Sequence, residues 1–401
     1  MNHQVNPAAA AEPFAGFLTE DIYDVLAVYR EQQPVAPLTL PDGRTGWLLT
    51  RHDDVRRALT DPRLTKDGLL SPVGYRPVVP PDIDEATRHH MLVVNPPDHS
   101  RLRRAVRPAF TPGAIAALTP AVRAITDRLL DDLARPGRHD LMAELAFPLP
   151  IAVISEMLGV PAEDRDDFAR WSHILVAGAA RRAELPAAQA NLIAYIRALL
   201  AAKRELPATD VASLLIAPGG DDGSLTENEV ISTIYLLLLA GHDTTAALIG
   251  NGAYRMLEDR ERWELLRNCP ERLPAAIEEM LRYDSPVQLS THRIAAEDVT
   301  YGEHLIPAGS TVLISILSAN RDGERFPDAD SFDLTRDGSS HVAFGHGIHH
   351  CLGAPLARLE ARIVFEALLD RIPGLELTDG FRPRWRPSIL MHGLAELSVT
   401  V

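Results

Sequence analysis

Residues 344–360 read FGHGIHHCLGAPLARLE. Within this run Cys351 lies among Gly345, Gly347 and Gly353, so the backbone can turn tightly and pass close to something flat and large. Phe344 supplies an apolar cover that keeps water from the sulfur. From Leu352 the spacing predicts a helix, with Pro355 tolerated in its first turn and Leu356, Leu359, Ile363 and Leu368 on one face. The unpaired N–H groups at the start of such a helix stabilise a nearby thiolate, the form of cysteine that holds a metal. His349 is a donor suited to an anionic group.

Two other readings of this run stand beside that one. Cys351 is a buried structural cysteine in a glycine-rich turn, or it joins His341, His346, His349 and His350 in a zinc site. Against zinc, the only other cysteine is Cys269, so no paired C-x-x-C framework is present.

Working outward, 40 basic against 55 acidic residues give a formal charge of −15, which argues against nucleic acid as the main partner. Two distant cysteines make no disulfide framework and fit a reducing, cytoplasmic setting. The start, MNHQVNPAAAAEPF, has neither the charge nor the apolar core of a signal or membrane anchor. The chain is expected to form one unit over residues 1–401, because the Pro- and Gly-rich spots Ser71 to Pro81 and Pro218 to Gly223 are short enough to be surface loops. Helical periodicity dominates. Strand-like pieces lie near Trp47 to Thr50, Val287 to Arg293, Thr311 to Ile316 and Leu394 to Val401, so the fold class is mostly α with small β-sheets. Asp53 or Asp54 is expected to cap a short helix running to Leu59.

The stretch NPPDHSRLRRAVRPAF places Asp98 as a cap, then His99 and Arg103 one above the other at i and i+4. Two donors on one face suit a carboxylate; the alternative is a solvated basic face. A second long signal begins at Thr226, which with Glu229 forms a capping box ahead of an apolar run from Val230 to Leu257. Apolar nearly all round, this helix should cross the core, and the interruption AGHDTT argues against a membrane span. Ala240 and Gly241 leave room there for a flat group and a bound diatomic, and Thr244 can bond back to a carbonyl. Asp243 and Thr244 are unfavourable in a helix interior, a local inconsistency of the kind found at functional sites. The competing reading is an Asp held in a salt bridge and a Thr satisfied by its own backbone. Glu279 and Arg282 stand at i and i+3, a geometry for an ion pair.

The spacing Phe344, Gly347, His349, Cys351, Gly353 resembles the heme-binding loop of the cytochrome P-450 superfamily, and the upstream motifs fall in the family's order. His350 departs from the apolar or aromatic residue usual there, which bears only on the tuning of the sulfur. The resemblance implies heme b between the long helix and the cysteine-loop helix. Cys351 is then the axial iron ligand, His99, Arg103, Arg293 and His349 meet the propionates, and Phe344, Ala240 and Gly241 flank the ring. Asp243 and Thr244 are expected to deliver protons during O2 activation. Glu279, Arg282 and Arg336 form a structural group, while Val93, Val94, Leu239, Val287, Leu289 and Leu390 are candidate substrate contacts.

The same resemblance implies hydroxylation or epoxidation of a hydrophobic small molecule. Electrons would pass from NAD(P)H through a reductase and a ferredoxin or flavodoxin, docking on a basic surface near Arg104, Arg107, Arg358 and Arg362. The wording PPDHSRLRR, AGHDTT, LIGNG and FGHGIHHCLGAPLARLE is most similar to actinobacterial enzymes that tailor polyketides and macrolides. A heme protein that binds ligand without turnover and a peroxide-driven heme enzyme are the alternatives.

Overall fold

A computed structural model describes residues 22–40, 43–66, 81–177, 181–217, 225–291, 293–336 and 340–401. The N-terminal stretch, most of the loop from Ser71 to Pro81 and the loop from Pro218 to Gly223 lie outside the described residues.

Short strands are spread along the chain: β1 (Val35–Thr39), β2 (Thr45–Leu49), β3 (Leu64–Thr65), β4 (Arg138–Asp140), β5 (Arg293–Ala295), β6 (Val299–Tyr301), β7 (His304–Ile306), β8 (Thr311–Ile314), β9 (Glu376–Leu377) and β10 (Ser398–Thr400). The largest sheet runs β1-β2-β8-β5-β3, a second runs β4-β10-β9, and β6 pairs with β7. Among the described residues only β2 and β8 pair in parallel, in the register Gly46 to Thr311 through Leu49 to Ile314. All four residues of β8 are buried, which explains the continuous apolar run Val312 to Ile314 in place of alternation. Helices make up most of the remainder, as the periodicity predicts.

The core is organised on one helix, Glu227–Leu257. Thr226 Oγ1 accepts from the Glu229 amide at 3.3 Å, and Glu229 accepts from the Thr226 amide at 2.8 Å, so the expected capping box is present. Nearly the whole circumference of the helix is buried, against helices Pro148–Leu158, Leu273–Tyr283 and Ala354–Arg371. Each fully buried Leu or Ile contributes about 1.5–3 kcal/mol by leaving water. Gly250 and Gly252 permit this closeness: a Cβ on either would fall 2.1 Å from Met142 Sδ or 2.6 Å from Met280 Sδ. By length and composition two helices, Leu185–Glu205 and Glu227–Leu257, are apolar enough to cross a membrane. The second is the core helix, covered by protein.

Two expected caps differ. Helix His52–Thr60 starts after Arg51, and the side chain that meets the His52 amide is Asp322 Oδ2 at 2.8 Å, from a distant segment, and not Asp53 or Asp54. Helix Asp98–Val106 starts after Pro97, and Asp98, its first residue, pairs with Arg101 at 3.2 Å rather than capping. Tertiary contacts supply what local sequence appeared to provide.

Candidate functional site

Cys351 lies between a single turn of 3-10 helix, Gly347–His349, and helix Ala354–Arg371. Its amide donates to Phe344 O at 2.8 Å, closing the loop on itself. Gly347 has φ +74°, and a Cβ there would meet Thr60 Cγ2 at 2.8 Å and Leu59 O at 3.2 Å; the turn needs glycine on both counts. Cys351 keeps accessible surface although dense protein surrounds it. Burial pushes the thiol pKa up, outweighing the backbone N–H groups of Gly353 and Ala354 and the charges of Arg103 and Arg358. The helix start therefore does not by itself maintain a thiolate.

Beside the cysteine, donors converge. His99 is buried, both of its ring nitrogens lack hydrogen-bond partners, and its ring lies 4.4 Å from that of His349. Arg293 is buried with Nη1 unpaired, and burial lowers its pKa to about 10, which leaves it charged at neutral pH. His349 is held neutral, its pKa pushed down to about 3 by burial and then by Arg293, His99 and Arg103. Arg103 Nη2 donates to His350 O at 2.8 Å. Buried donors without acceptors are costly, at about 1–3 kcal/mol each, so this cluster fits an absent anion. The carboxylates of a heme match its charge and its position next to a sulfur ligand. Among the described residues there is no cluster of three or more His, Cys, Asp or Glu suited to a metal, so a zinc site at these histidines finds no support in the geometry.

The central helix carries the other candidates. Ala240 is exposed although its helix is largely buried. Gly241 is turned into the packing: a Cβ there would point at Ile154 Cδ1, 2.9 Å away, so its smallness serves helix packing rather than room for a bound group. The two residues lie about 100° apart on the helix, enough to separate their roles. Thr244 Oγ1 donates to Ala240 O at 2.7 Å, as expected for an alcohol bonded back to its own helix. Asp243, 7% exposed, lies with Oδ1 2.5 Å from Arg386 Nη2, a close contact without the alignment of a hydrogen bond. Burial raises the Asp243 pKa more than Arg386 lowers it. The salt bridge and self-satisfied threonine weighed from the sequence are thus both present.

Glu279 and Arg282 are fully buried and bidentate, at 2.7 and 2.8 Å. Arg336 Nε approaches Glu279 Oε1 at 3.4 Å, completing the expected trio. Arg282 also donates to Asn320 O, Ala329 O and Ser331 O, while Asn320 Oδ1 accepts from the Val342 amide. The pair therefore ties the segment leading into the cysteine loop to helix Leu273–Tyr283.

The substrate candidates divide. Val93 and Leu390 are exposed, and Val94, Leu239 and Val287 are half-buried. Leu289 is a correction: it is 2% exposed and packs in a core cluster with Ile22, Leu26 and Leu48. On the cysteine side Arg104, Arg107 and Arg362 are exposed. Arg358 is bound by Glu278 through contacts of 2.6 and 2.7 Å and lies over the Phe344 ring at 4.5 Å, so its charge is largely met. A groove of about 390 Å³ between Ile115, Ala116, Ile277, Glu278, Arg358 and Arg362 opens beside it.

Arg386 was not legible from sequence. It falls in the C-terminal stretch RWRPSILMHGL, far in sequence from Asp243. Glu278 was equally unmarked, although it anchors both Arg358 and His341.

A family model described as Cytochrome P450 matches residues 271–372, which include the buried Glu279–Arg282 pair and Cys351. The chain is 44% identical over 396 residues to Cytochrome P450 107B1 of Saccharopolyspora erythraea, covering 96% of each chain. It is 42% identical over 394 residues to the Vitamin D(3) 25-hydroxylase of Pseudonocardia autotrophica, covering 97% of this chain and 96% of that one. Among solved structures, the bacillaene polyketide synthase cytochrome P450 PksS of Bacillus subtilis superposes with a TM-score of 0.87 at 37% identity, covering 100% of this chain and 99% of that one.

Proposed function

The chain belongs to the cytochrome P450 family and is a monooxygenase of that family, and from this premise we propose that it hydroxylates or epoxidises a hydrophobic secondary metabolite of polyketide or macrolide type. The observation that carries the reading of the site is the pairing of Cys351, accessible although protein surrounds it, with the unpartnered donors of His99 and Arg293 beside it. Cys351 would hold the iron of heme b, and His99, Arg103, Arg293 and His349 would take its propionates. When bound, heme supplies the binding and reductive activation of O2 and the transfer of one oxygen atom to substrate.

The chain's own residues do the rest. Phe344 and the loop backbone keep water from the sulfur. Ala240 leaves the distal space open. Thr244, whose hydrogen is engaged by Ala240 O, retains oxygen lone pairs able to accept from a water, and Asp243 is the acid–base group beside it that would pass protons on. Val93, Val94, Leu239, Val287 and Leu390 would offer apolar surface to the substrate. The vitamin D hydroxylase and the polyketide enzyme among the relatives favour a large apolar substrate. Electrons would come from NAD(P)H through a reductase and a ferredoxin or flavodoxin seated near Arg104, Arg107 and Arg362, by the groove under Arg358. A cytoplasmic location suits such partners and the reduced cysteines.

The test is a spin-state titration of the heme-loaded protein with macrolactones, linear polyketides, sterols and fatty acids, followed by turnover under 18O2 with a ferredoxin and reductase. A macrolactone or polyketide should shift the iron to high spin and yield product bearing one labelled oxygen. Turnover with peroxide alone, or an unlabelled product, would overturn the proposal.

A further inference from the structure

Asp243, Ala247 and Asn251 follow one another at i+4 along the central helix and form a single stripe. The C-terminal hairpin lies along it. Asn251 Nδ2 donates to His392 O at 3.0 Å, and its Oδ1 accepts from the Leu394 amide at 3.3 Å. Gly393 sits over Ala247, where a Cβ would come within 3.0 Å of Ala247 Cβ. Arg386, whose amide donates to Gly393 O at 2.9 Å, reaches across this gap to Asp243. Its guanidinium also lies over the Phe147 ring at 5.3 Å, and its buried Nη2 faces Asp243 Oδ1 while Nε is buried without a partner.

A largely buried arginine in contact with a buried acid stabilises that acid's charge where water cannot. The hairpin that carries it also carries Ile389 and Leu390, both exposed, and bonds through Leu390 O to the Gln288 amide in the segment leading to Arg293. We propose that Arg386 is a positioning residue for the oxygenation reaction: seated on the C-terminal hairpin, it holds the Asp243 carboxylate ionised and fixed beside Thr244. This deepens the reading of Asp243 as the group that passes protons toward Thr244, on which it rests: the ionised carboxylate takes a proton from the solvent side, hands it on and returns to the anion.

The other titratable groups facing Asp243 are few. His173 approaches from helix Arg165–Ala177, with Arg181 beyond it, and His242 is the neighbour on the same helix. His242 is neutral, its pKa pushed by burial to about 3, and its Nε2 is engaged with Phe147 O at 3.1 Å. Burial likewise lowers the His173 pKa. At neutral pH Arg386 is therefore the cation that offsets the burial of Asp243. Removing it leaves desolvation unopposed, which raises a carboxyl pKa.

The experiment is an infrared titration of the substrate-free, heme-loaded protein, in which the protonated Asp243 carboxyl band is identified by its loss in Asp243→Asn. In Arg386→Gln the midpoint should move up by at least about one pH unit, and Arg386→Lys should restore most of the wild-type value. Gly393→Ala keeps every charge but places a Cβ 2.9 Å from Arg386 Nη2, and should move the midpoint in the same direction by less. An unchanged midpoint in folded Arg386→Gln overturns the proposal; if that variant does not fold, an unchanged midpoint in Gly393→Ala does so. No substrate is added, so a failed substrate titration and a failed infrared titration are separate results.

Discussion

At the proximal wall Cys351 takes its amide partner from Phe344 and its sulfur contacts from Gly353 and Ala354, all within one short run of chain. At the distal wall Asp243 stands in a regular helix and takes its ionic partner from Arg386, far along the sequence on the C-terminal hairpin. The first wall is specified by local backbone geometry and the second by which elements pack together. A substitution in the loop should therefore act at once on the ligand, whereas the distal residues should act through proton supply and tolerate change more gradually.

The hardest test of this contrast is Cys351→Ser, which should abolish the red-shifted ferrous–CO band and monooxygenation while circular dichroism stays near wild type. A retained band would mean that the loop does not hold the iron. A smaller effect is expected on the distal side. Thr244→Ala should reduce product per electron pair by about 10²-fold, the scale of a lost proton-transfer group, while NAD(P)H and O2 consumption continue. Full coupling in that variant would remove Thr244 from the proton path.

The smallest effect belongs to the helix behind the loop. Glu360 is 2% exposed with Oε2 unpaired, and burial raises its pKa to about 8. A carboxyl with a raised folded-state pKa binds its proton more tightly folded than unfolded, so stability should fall as pH rises from about 4.5 toward 8. Glu360→Gln should flatten that slope and stabilise the protein at pH 8 by about 1 kcal/mol or more in denaturant titrations. An unchanged slope would mean that Glu360 is solvated.

Motif and periodicity made much of the fold legible. The capping box at Thr226, the long buried helix, the Glu279–Arg282–Arg336 group and the turn at Gly347 each follow from residues close in sequence or from a known pattern. The errors share one cause. Asp53 and Asp98 have the chemistry of caps, but Asp322 and Arg101 compete for the same atoms and partners. Gly241 was read as an opening because its neighbour Ala240 is one, yet a rotation of about 100° per residue turns it to Ile154. Leu289 was read as pocket-lining from its position before Arg293, and its side chain instead joins the core formed with Ile22 and Leu26.

By itself the sequence determined the family and the mostly helical class, and it pointed to the residues proposed to hold a heme. Cysteine, glycines and donors must recur at fixed spacing for a thiolate to meet a flat ring, and spacing is what a sequence records. The tertiary structure alone decided which charges meet. Arg386 reaches Asp243, Glu278 neutralises Arg358, and both pairings depend on how helices and a hairpin pack. Electrostatic partners are chosen by distance in space, and a linear chain does not encode that distance in any local pattern.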